Sequence, residues 1–253
     1  MKKLFAFLCT FVLILSSFTF WGCGSNLEKV SSQTAIDLAT TFKPLDIEKG
    51  GIKIVADANV YGMKSDTFYE IVLNGADLQM YGKSDPMDIK TTFYYTGGYV
   101  YGKSLIDDEV VKLKQQISLS EFIFGTERYS VIDDRITLPL VSNPLYAVST
   151  FAKDLDSEFY VNDGENLKEI KIVLKTSEYY PQADHTINST QTFIYKYDID
   201  GNFTSVKVEL KDVRVSRGFK ENSKTVLTIK PFDGEIELPS AEELAKYKEP
   251  QPE

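Results

Sequence analysis

QTFIYKYDIDGNFTSVKVELKDVRV, residues 191–215, is the stretch that decides the fold class of this 253-residue chain. Apolar and polar residues alternate in 191–198 and again in 204–215, and the turn Asp200-Gly201-Asn202 lies between the two runs. Alternation with a period of two is typical of a half-buried strand. A connection this short joins antiparallel neighbours. The stretch therefore predicts an antiparallel hairpin with one apolar and one polar face.

The same pattern recurs on both sides of this hairpin. Strands before the hairpin are predicted at residues 52–60, 68–73, 77–83, 88–96, 99–103 and 167–175. Strands after it are predicted at 224–230 and 235–238. Asn74-Gly75 is a strong signal for a tight hairpin, and Asp233-Gly234 predicts the last turn. We expect an α+β, mostly β fold: a large curved antiparallel sheet, or half-barrel, with one to three short helices packed on it.

Three segments have helical signals. Residues 33–43 carry an apolar stripe, with Ser31 or Ser32 as the cap and Pro44 as the stop. Residues 144–155 follow Asn143 as a cap, and Ser240 with Glu243 predicts a capping box for a helix that reaches residue 247. Two central segments stay open: residues 107–116 suit a strand or a short helix, and 118–124 suit a helical turn.

The first residues have the parts of a secretory leader. Lys2 and Lys3 precede an uncharged apolar run at 4–20, and Gly22-Cys23 closes it. This ending resembles the lipobox of bacterial lipoproteins, although Phe20 stands where that family prefers an aliphatic residue. The resemblance implies that the Cys23 thiol carries a diacylglycerol and that the chain is cut before it. The alternative is an ordinary signal, or an uncleaved anchor, with an incidental Cys23.

The lipoprotein interpretation divides the chain into four parts. These are a signal peptide at 1–22, the lipidated Cys23 with a tether at 23–31, a single β-rich domain at 32–247 and a disordered tail at 248–253. The expected location is the extracytoplasmic face of the cell membrane, with the lipid on Cys23 as the contact. Two acyl chains suffice to anchor a soluble body.

Composition excludes several classes of function. Cys9 and Cys23 are the only cysteines, so the body after Cys23 has neither a disulfide nor a free thiol. The formal charge is -9, and it becomes -11 once Lys2 and Lys3 are removed with the leader. An acidic body argues against nucleic acid as a partner and against electrostatic adsorption to anionic lipid.

Two stretches match the sequence patterns of known ligand-binding loops but lack the structural context that those loops require. Residues 97–104, GGYVYGKS, fit the phosphate-loop expression, but Tyr99, Val100 and Tyr101 alternate as a strand after a Gly-Gly turn. Residues 198–209 place oxygens at the first positions of a calcium loop, but Phe203 stands where that loop needs glycine. Both stretches therefore predict hairpins.

No set of residues predicts catalysis, a metal or another cofactor. His185 is the only histidine, and the polar stretch 182–189 predicts that it lies in a loop. The adjacent acids Asp107-Asp108 and Asp133-Asp134 are typical of turns. A hydrolase that uses two carboxylates is the weakest of three hypotheses, and we expect that the chain is not an enzyme.

The order of leader, Gly22-Cys23, amphipathic helix and Tyr-rich meander, such as 93–101, resembles lipoproteins of Gram-positive bacteria with a LolA-like fold. The strand, Leu-Pro-Ser and Glu-rich ending at 232–247 is similar in style. That resemblance implies a half-barrel closed by helices, with an apolar concavity that holds a lipid. The expected function is a non-catalytic binding module for a lipid or another apolar ligand. The alternative is a structural or protein-interaction lipoprotein of the envelope with no small-molecule ligand.

Overall fold

The computed structural model describes residues 27–46, 50–60, 63–74, 79–84, 90–106, 109–124 and 135–249. Its strands are β1 (Glu28–Val30), β2 (Gly51–Val60), β3 (Met63–Asn74), β4 (Gln79–Ser84), β5 (Thr91–Thr96), β6 (Tyr99–Ile106), β7 (Glu109–Gln116), β8 (Ser157–Asp163), β9 (Lys168–Tyr180), β10 (His185–Tyr197), β11 (Phe203–Ser216) and β12 (Phe219–Pro231). Its helices are α1 (Ser32–Ala39), α2 (Leu119–Phe124), α3 (Leu138–Ser142), α4 (Pro144–Phe151) and α5 (Ala241–Leu244).

All twelve strands belong to one sheet in which every neighbouring pair is antiparallel. The order is β1-β8-β9-β10-β11-β12-β2-β3-β4-β5-β6-β7. Two meanders, β2 to β7 and β8 to β12, are thus joined side by side where β12 pairs with β2. The sheet does not close into a barrel. The prediction of a mostly β fold with one large antiparallel sheet and short helices is confirmed.

The core lies on one face of the sheet, which we call the core face. One row of register partners crosses it through Val161, Ile170, Tyr195, Val206, Ile229, Ile54 and Ile71. Successive strand residues point to opposite faces, so every second residue from this row shares it. Helices α1, α3 and α4 bury this face, and their own core residues include Ala35, Val141 and Val148.

The helix caps form as the sequence predicts. The Ser31 side chain accepts from the Thr34 backbone N–H, Asn143 accepts from Tyr146, and Ser240 accepts from Glu243. The helices themselves are shorter than expected, because α1 ends at Ala39 and α5 at Leu244. Of the two open segments, residues 109–116 form β7 and residues 119–124 form α2.

Several predicted boundaries are wrong. Residues 28–30, assigned to the tether, form β1 and pair with β8, itself a strand that the sequence did not predict. The stretch 182–189, predicted as a loop, contains the start of β10 at His185. Residues 235–238 are not a strand, because β12 already ends at Pro231.

Residues 232–249 form a C-terminal strap across the opposite, outer face of the first meander. It begins where the Phe232 N–H donates to the Gly51 carbonyl at 2.8 Å. Farther on, the rings of Tyr247 and Tyr101 meet edge to face with centroids 5.5 Å apart. At its end the Lys114 N–H of β7 donates to the Lys248 carbonyl at 2.8 Å. The strap therefore covers part of the outer face here, and Lys248 is not part of a disordered tail.

Candidate functional site

An apolar groove lies on the core face of β5, β6 and β7, and its volume is about 360 Å³. Its walls are mostly apolar side chains from the three strands and α2. They are Phe93, Val100, Val111, Leu113 and Phe122, with Thr91, Gly102 and Ser104 between them. This is the candidate binding site of the chain.

The groove floor is set by strand register. Phe93, Gly102 and Leu113 are successive partners across β5, β6 and β7. Gly102 has no side chain, and a Cβ there would meet only the Leu113 carbonyl, at 4.0 Å. The missing side chain therefore opens space between two apolar walls. A comparable glycine, Gly82 on β4, is already hemmed in by Ile71 and Phe93.

One wall comes from the short helix α2. The rings of Phe122 and Phe93 meet edge to face, with centroids 5.6 Å apart, an arrangement that aromatic rings favour. In the part of the chain that the structure describes, α2 is the helix that reaches this end of the core face, because α1, α3 and α4 pack over the second meander. Leu113 consequently keeps 43% of its surface exposed although it faces the core side.

The core face of the second meander is filled instead by its own aromatic residues. Phe193, Tyr195 and Tyr197 are fully buried, and Phe42 stacks on Tyr197 with ring centroids 4.2 Å apart. Burial raises the pKa of the Tyr195 and Tyr197 hydroxyls, so both stay neutral. The apolar groove is therefore confined to the β5–β7 end and does not run the length of the sheet.

Beyond the aromatic core, the long hairpins of β9 to β12 carry a polar pocket of about 270 Å³. Arg135 donates to both carboxylate oxygens of Asp212, at 2.9 and 3.0 Å. Burial acts to raise the pKa of Asp212, but hydrogen bonds from Arg135 and Ser189 outweigh it and lower that pKa. The carboxylate stays charged and paired, which suits a structural ion pair better than an acid catalyst.

His185 lies at the rim of this polar pocket, at the first position of β10. Its ring stacks on Tyr180 with centroids 5.0 Å apart. Its Nδ1 is buried and has no hydrogen-bond partner among the described residues. The stack holds the ring against the end of β9.

Both motifs that matched ligand loops in letters form hairpin turns. Gly97 and Gly98 join β5 to β6 with φ of 59° and 80°, the positive values that the tightest hairpin turn requires. Asp198 accepts from the backbone N–H groups of Asp200 and Asn202, so its carboxylate closes its own turn. Gly102, a letter of the phosphate-loop match, is instead the floor of the apolar groove.

Several predicted features lie outside the described residues: Cys9, Cys23, the pairs Asp107-Asp108 and Asp133-Asp134, and Gly75 of the Asn-Gly turn. Among the residues that are described, no group of three or more His, Cys, Asp or Glu is placed to hold a metal ion. Within the same residues, no helix combines the length and apolarity needed to cross a membrane.

Comparison with known proteins gives no relative. No protein-family model matches the chain, and neither the curated proteins nor the solved structures contain a match. The groove and its surroundings are therefore the features that bear on function.

The sequence pattern does not mark Val100, Gly102 or any other residue as part of a binding groove. It marks the aromatic hairpin at 93–101, which carries Phe93 and Val100, but gives no role to the glycine between the walls. The signal was present as Phe93-x-Tyr95 and Val100-x-Gly102, an alternation in which one inward position of β6 is glycine. Its meaning depends on the strand register, which places Gly102 between Phe93 and Leu113.

Proposed function

We propose that this chain is an extracytoplasmic lipoprotein, anchored through a lipid on Cys23, which binds an apolar ligand without catalysis. The observation that carries the proposal is the apolar groove over β5, β6 and β7. Phe93, Val100, Val111, Leu113 and Phe122 line it, and polar side chains are few. The Gly22-Cys23 ending of the leader supports the anchor.

The size and chemistry of the groove favour a narrow class of ligand. Small-molecule pockets usually enclose about 300–1,000 Å³, so a groove of about 360 Å³ lies at the small end. One acyl chain or a small ring system suits it better than a whole diacyl lipid. Each Å² of apolar surface that leaves water contributes about 25 cal/mol. The exposed part of Leu113 supplies such surface.

The rim of the groove supplies a few polar groups for orientation. The Thr91 and Ser104 hydroxyls lie 2.9 Å apart at one end, in a hydrogen bond that either can donate. Gln115 lies at the β7 side, whereas the Lys114 ammonium lies on the outer face, 5.4 Å from the centre of the Tyr99 ring. A carboxylate or hydroxyl head at this rim would find donors, while the apolar tail lies between Phe93 and Leu113. Fatty acids and similar amphiphiles therefore fit best.

A second candidate is an envelope interaction protein with no small-molecule ligand. It is favoured by the core of the second meander, which the fully buried side chains of Phe193, Tyr195 and Tyr197 occupy. It is also favoured by Leu105, Ile106 and Val110, which are exposed by 42 to 55% at the β6–β7 edge of the sheet. A partner strand or helix could cover these residues.

Uptake of a fluorescent fatty acid by the chain from residue 24 onward tests the first candidate. Gly102→Leu fills the groove floor, where a Cβ has room, and should abolish saturable uptake. Lys103→Leu places the same side chain on the opposite face of the same strand and is the matched control. Native mass spectrometry of the purified chain should also show a co-purified species of lipid size that is lost on denaturation.

Two results would count against the ligand. Uptake that is equal in the Gly102→Leu variant and in its control would place the probe elsewhere. A clean apo mass together with no fatty-acid uptake would leave the envelope interaction protein as the function. Metabolic labelling with a palmitate analogue tests the anchor separately, because Cys23→Ser should remove the label.

A further inference from the structure

The outer face of the second meander is rich in lysine although the chain is acidic. We call the outward side chains of β1, β8 to β12 and β2 the lysine face. It carries ten lysines and four carboxylates, whereas the whole chain has 28 basic and 37 acidic residues. The few charged residues on the core side of the same strands are mostly acidic, and they include Asp212 and Glu221. The sheet thus separates charge by face.

The lysines form rows across the strands. Lys175, Thr190, Lys211, Lys224 and Asn59 are successive register partners, so three lysines share one row without an acid. Adjacent strands are about 4.8 Å apart. This row therefore presents three ammonium groups within about 20 Å.

Two lysine pairs oppose each other directly. Lys211 is the partner of Lys224, and Lys230 is the partner of Lys53. Like charges directly opposite each other destabilise a sheet. Lys211 and Lys53 are compensated by Glu209 and Glu70, but Lys224 and Lys230 have no ion pair among the described residues. A face that accepts such pairs is suited to an anionic partner.

Three of the four carboxylates on this face pair with five of its ten lysines, and Glu158 pairs with both Lys29 and Lys175. Glu169 is only 2% exposed and lies beneath Lys196 at 3.3 Å. Glu209 lies between Lys207 and Lys211, whose hydrogen bonds lower its pKa to about 2. Lys171 lies over the ring of Tyr160 at 5.2 Å and keeps its charge available. Ten lysines against four carboxylates nevertheless leave a surplus of six positive charges on this face.

The described chain leaves most of this face uncovered. Helices α1, α3 and α4 pack on the core face, and the C-terminal strap crosses the first meander, where it touches the lysine face at Gly51, the first residue of β2. Lys29 of β1 belongs to the lysine face, since its register partner Tyr160 points outward. Lys29 follows Cys23 by only six positions, a span of at most about 20 Å.

We infer that the lysine face lies flat against the anionic surface of a lipid bilayer. Clustered lysines are attracted to anionic lipid within a Debye length of its surface, and a broad sheet face can bring many of them there together. The net charge of -9 suggested the opposite, because it averages over two unlike faces. The groove lies on the other face of the sheet, at its β5–β7 end. The orientation of the sheet on the membrane depends on the proposed anchor at Cys23. The attraction of the lysines to anionic lipid does not depend on it.

Vesicle flotation tests the inference without the anchor. The chain from residue 24 cannot be lipidated at Cys23 and keeps all described strands, helices and core residues, and a cooperative thermal transition checks that it folds. It should float with vesicles of phosphatidylcholine and phosphatidylglycerol mixed two to one. It should not float with phosphatidylcholine alone, and about 0.5 M salt should release it.

Matched charge reversals separate this face from net charge. The triple variant Lys175→Glu, Lys211→Glu, Lys224→Glu should lower the bound fraction at least about tenfold. The control triple Lys90→Glu, Lys103→Glu, Lys153→Glu changes net charge equally at exposed positions outside the lysine face and should bind as the wild type does. Circular dichroism confirms that both variants are folded.

Three outcomes would overturn the inference. These are no flotation with the anionic vesicles at low salt, an equal loss in both triple variants, and binding to soluble polyphosphate without binding to vesicles. The last outcome would assign the face to a soluble polyanion. Fatty-acid uptake by the same preparations reports on the groove, so failure of the proposed function is measured independently.

Discussion

Arg135 and Asp212 form a bidentate ion pair on the core side of the long hairpins, with N–O distances of 2.9 and 3.0 Å. The Asp212 side chain is only 10% exposed and that of Arg135 33%. Arg135 lies just before α3, whereas Asp212 lies in the middle of β11. The pair therefore connects the helical layer to the polar end of the sheet.

We predict that Arg135→Met destabilises the fold by about 2–3 kcal/mol, because it leaves a largely buried carboxylate without its main partner. The double variant Arg135→Met, Asp212→Asn should recover most of that loss, since the amide introduced at position 212 is uncharged and can still meet Ser223. Urea unfolding of the wild type and both variants measures these changes. Equal losses in the single and double variants would show that the arginine contributes by packing rather than by charge.

The same carboxylate should make stability depend on pH. Although burial acts to raise it, the folded pKa of Asp212 is lowered by Arg135 and Ser189, so its contribution is fully present above the unfolded pKa of about 3.9. It is lost as pH falls through the folded value. The free energy of unfolding of the wild type should therefore exceed that of Asp212→Asn at pH 6, and the difference should shrink towards pH 3. A difference that does not change with pH would contradict this.

Two buried tyrosines provide a matched pair of substitutions. The Tyr195 hydroxyl donates to the Leu140 carbonyl in α3, whereas the Tyr197 hydroxyl has no partner among the described residues. Tyr195→Phe should cost about 1–2 kcal/mol, because it leaves that carbonyl unpaired. Tyr197→Phe should be neutral or slightly stabilising. Thermal and urea unfolding compare them, and equal effects would mean that Tyr197 has a partner after all, such as an ordered water.

Gly201 and Gly218 are both suited to glycine, but for partly different reasons. Both have positive φ, 73° and 87°, but a Cβ on Gly201 would collide with the Thr41 carbonyl, while one on Gly218 would meet open space. Gly218→Ala should cost about 1 kcal/mol of backbone strain. Gly201→Ala should cost about 3 kcal/mol, because the turn must also move away from the end of α1. Urea unfolding compares the two variants, and similar losses would show that the turn relaxes easily.

Alternation was enough to predict most of the sheet. In 191–198 and 204–210 the alternating apolar residues from Phe193 to Leu210 are buried in the core, so a local pattern predicts which face is covered. The alternation changes phase after Leu210, and Val213 and Val215 lie on the outer face. It failed at the ends of β9 and β10, where Thr176, Ser189 and Gln191 face the core side but are polar. There the strands continue by pairing with each other beyond the covered core, and no periodic signal marks them.

The strap and the groove could not be predicted, for a related reason. Tyr247 lies on Tyr101 across the outer face, a contact between segments that are far apart in the chain. The groove exists because, among the described helices, α2 alone covers the core face at the β5–β7 end, and because Gly102 lies between Phe93 and Leu113. Both facts depend on register and helix placement, which one sequence does not specify.

The pairing of β12 with β2 has a consequence for the order in which the protein folds. Neighbours within each meander are close in sequence, but Pro231 pairs with Ile52 about 180 residues away. Local hairpins form early, whereas the pairing of β12 with β2 forms later, because closing the long loop between them costs more conformational entropy. A chain that emerges N-terminus first must therefore hold the edge of β2 unpaired until residue 231 has been made. During that interval β2 is the strand most exposed to wrong partners.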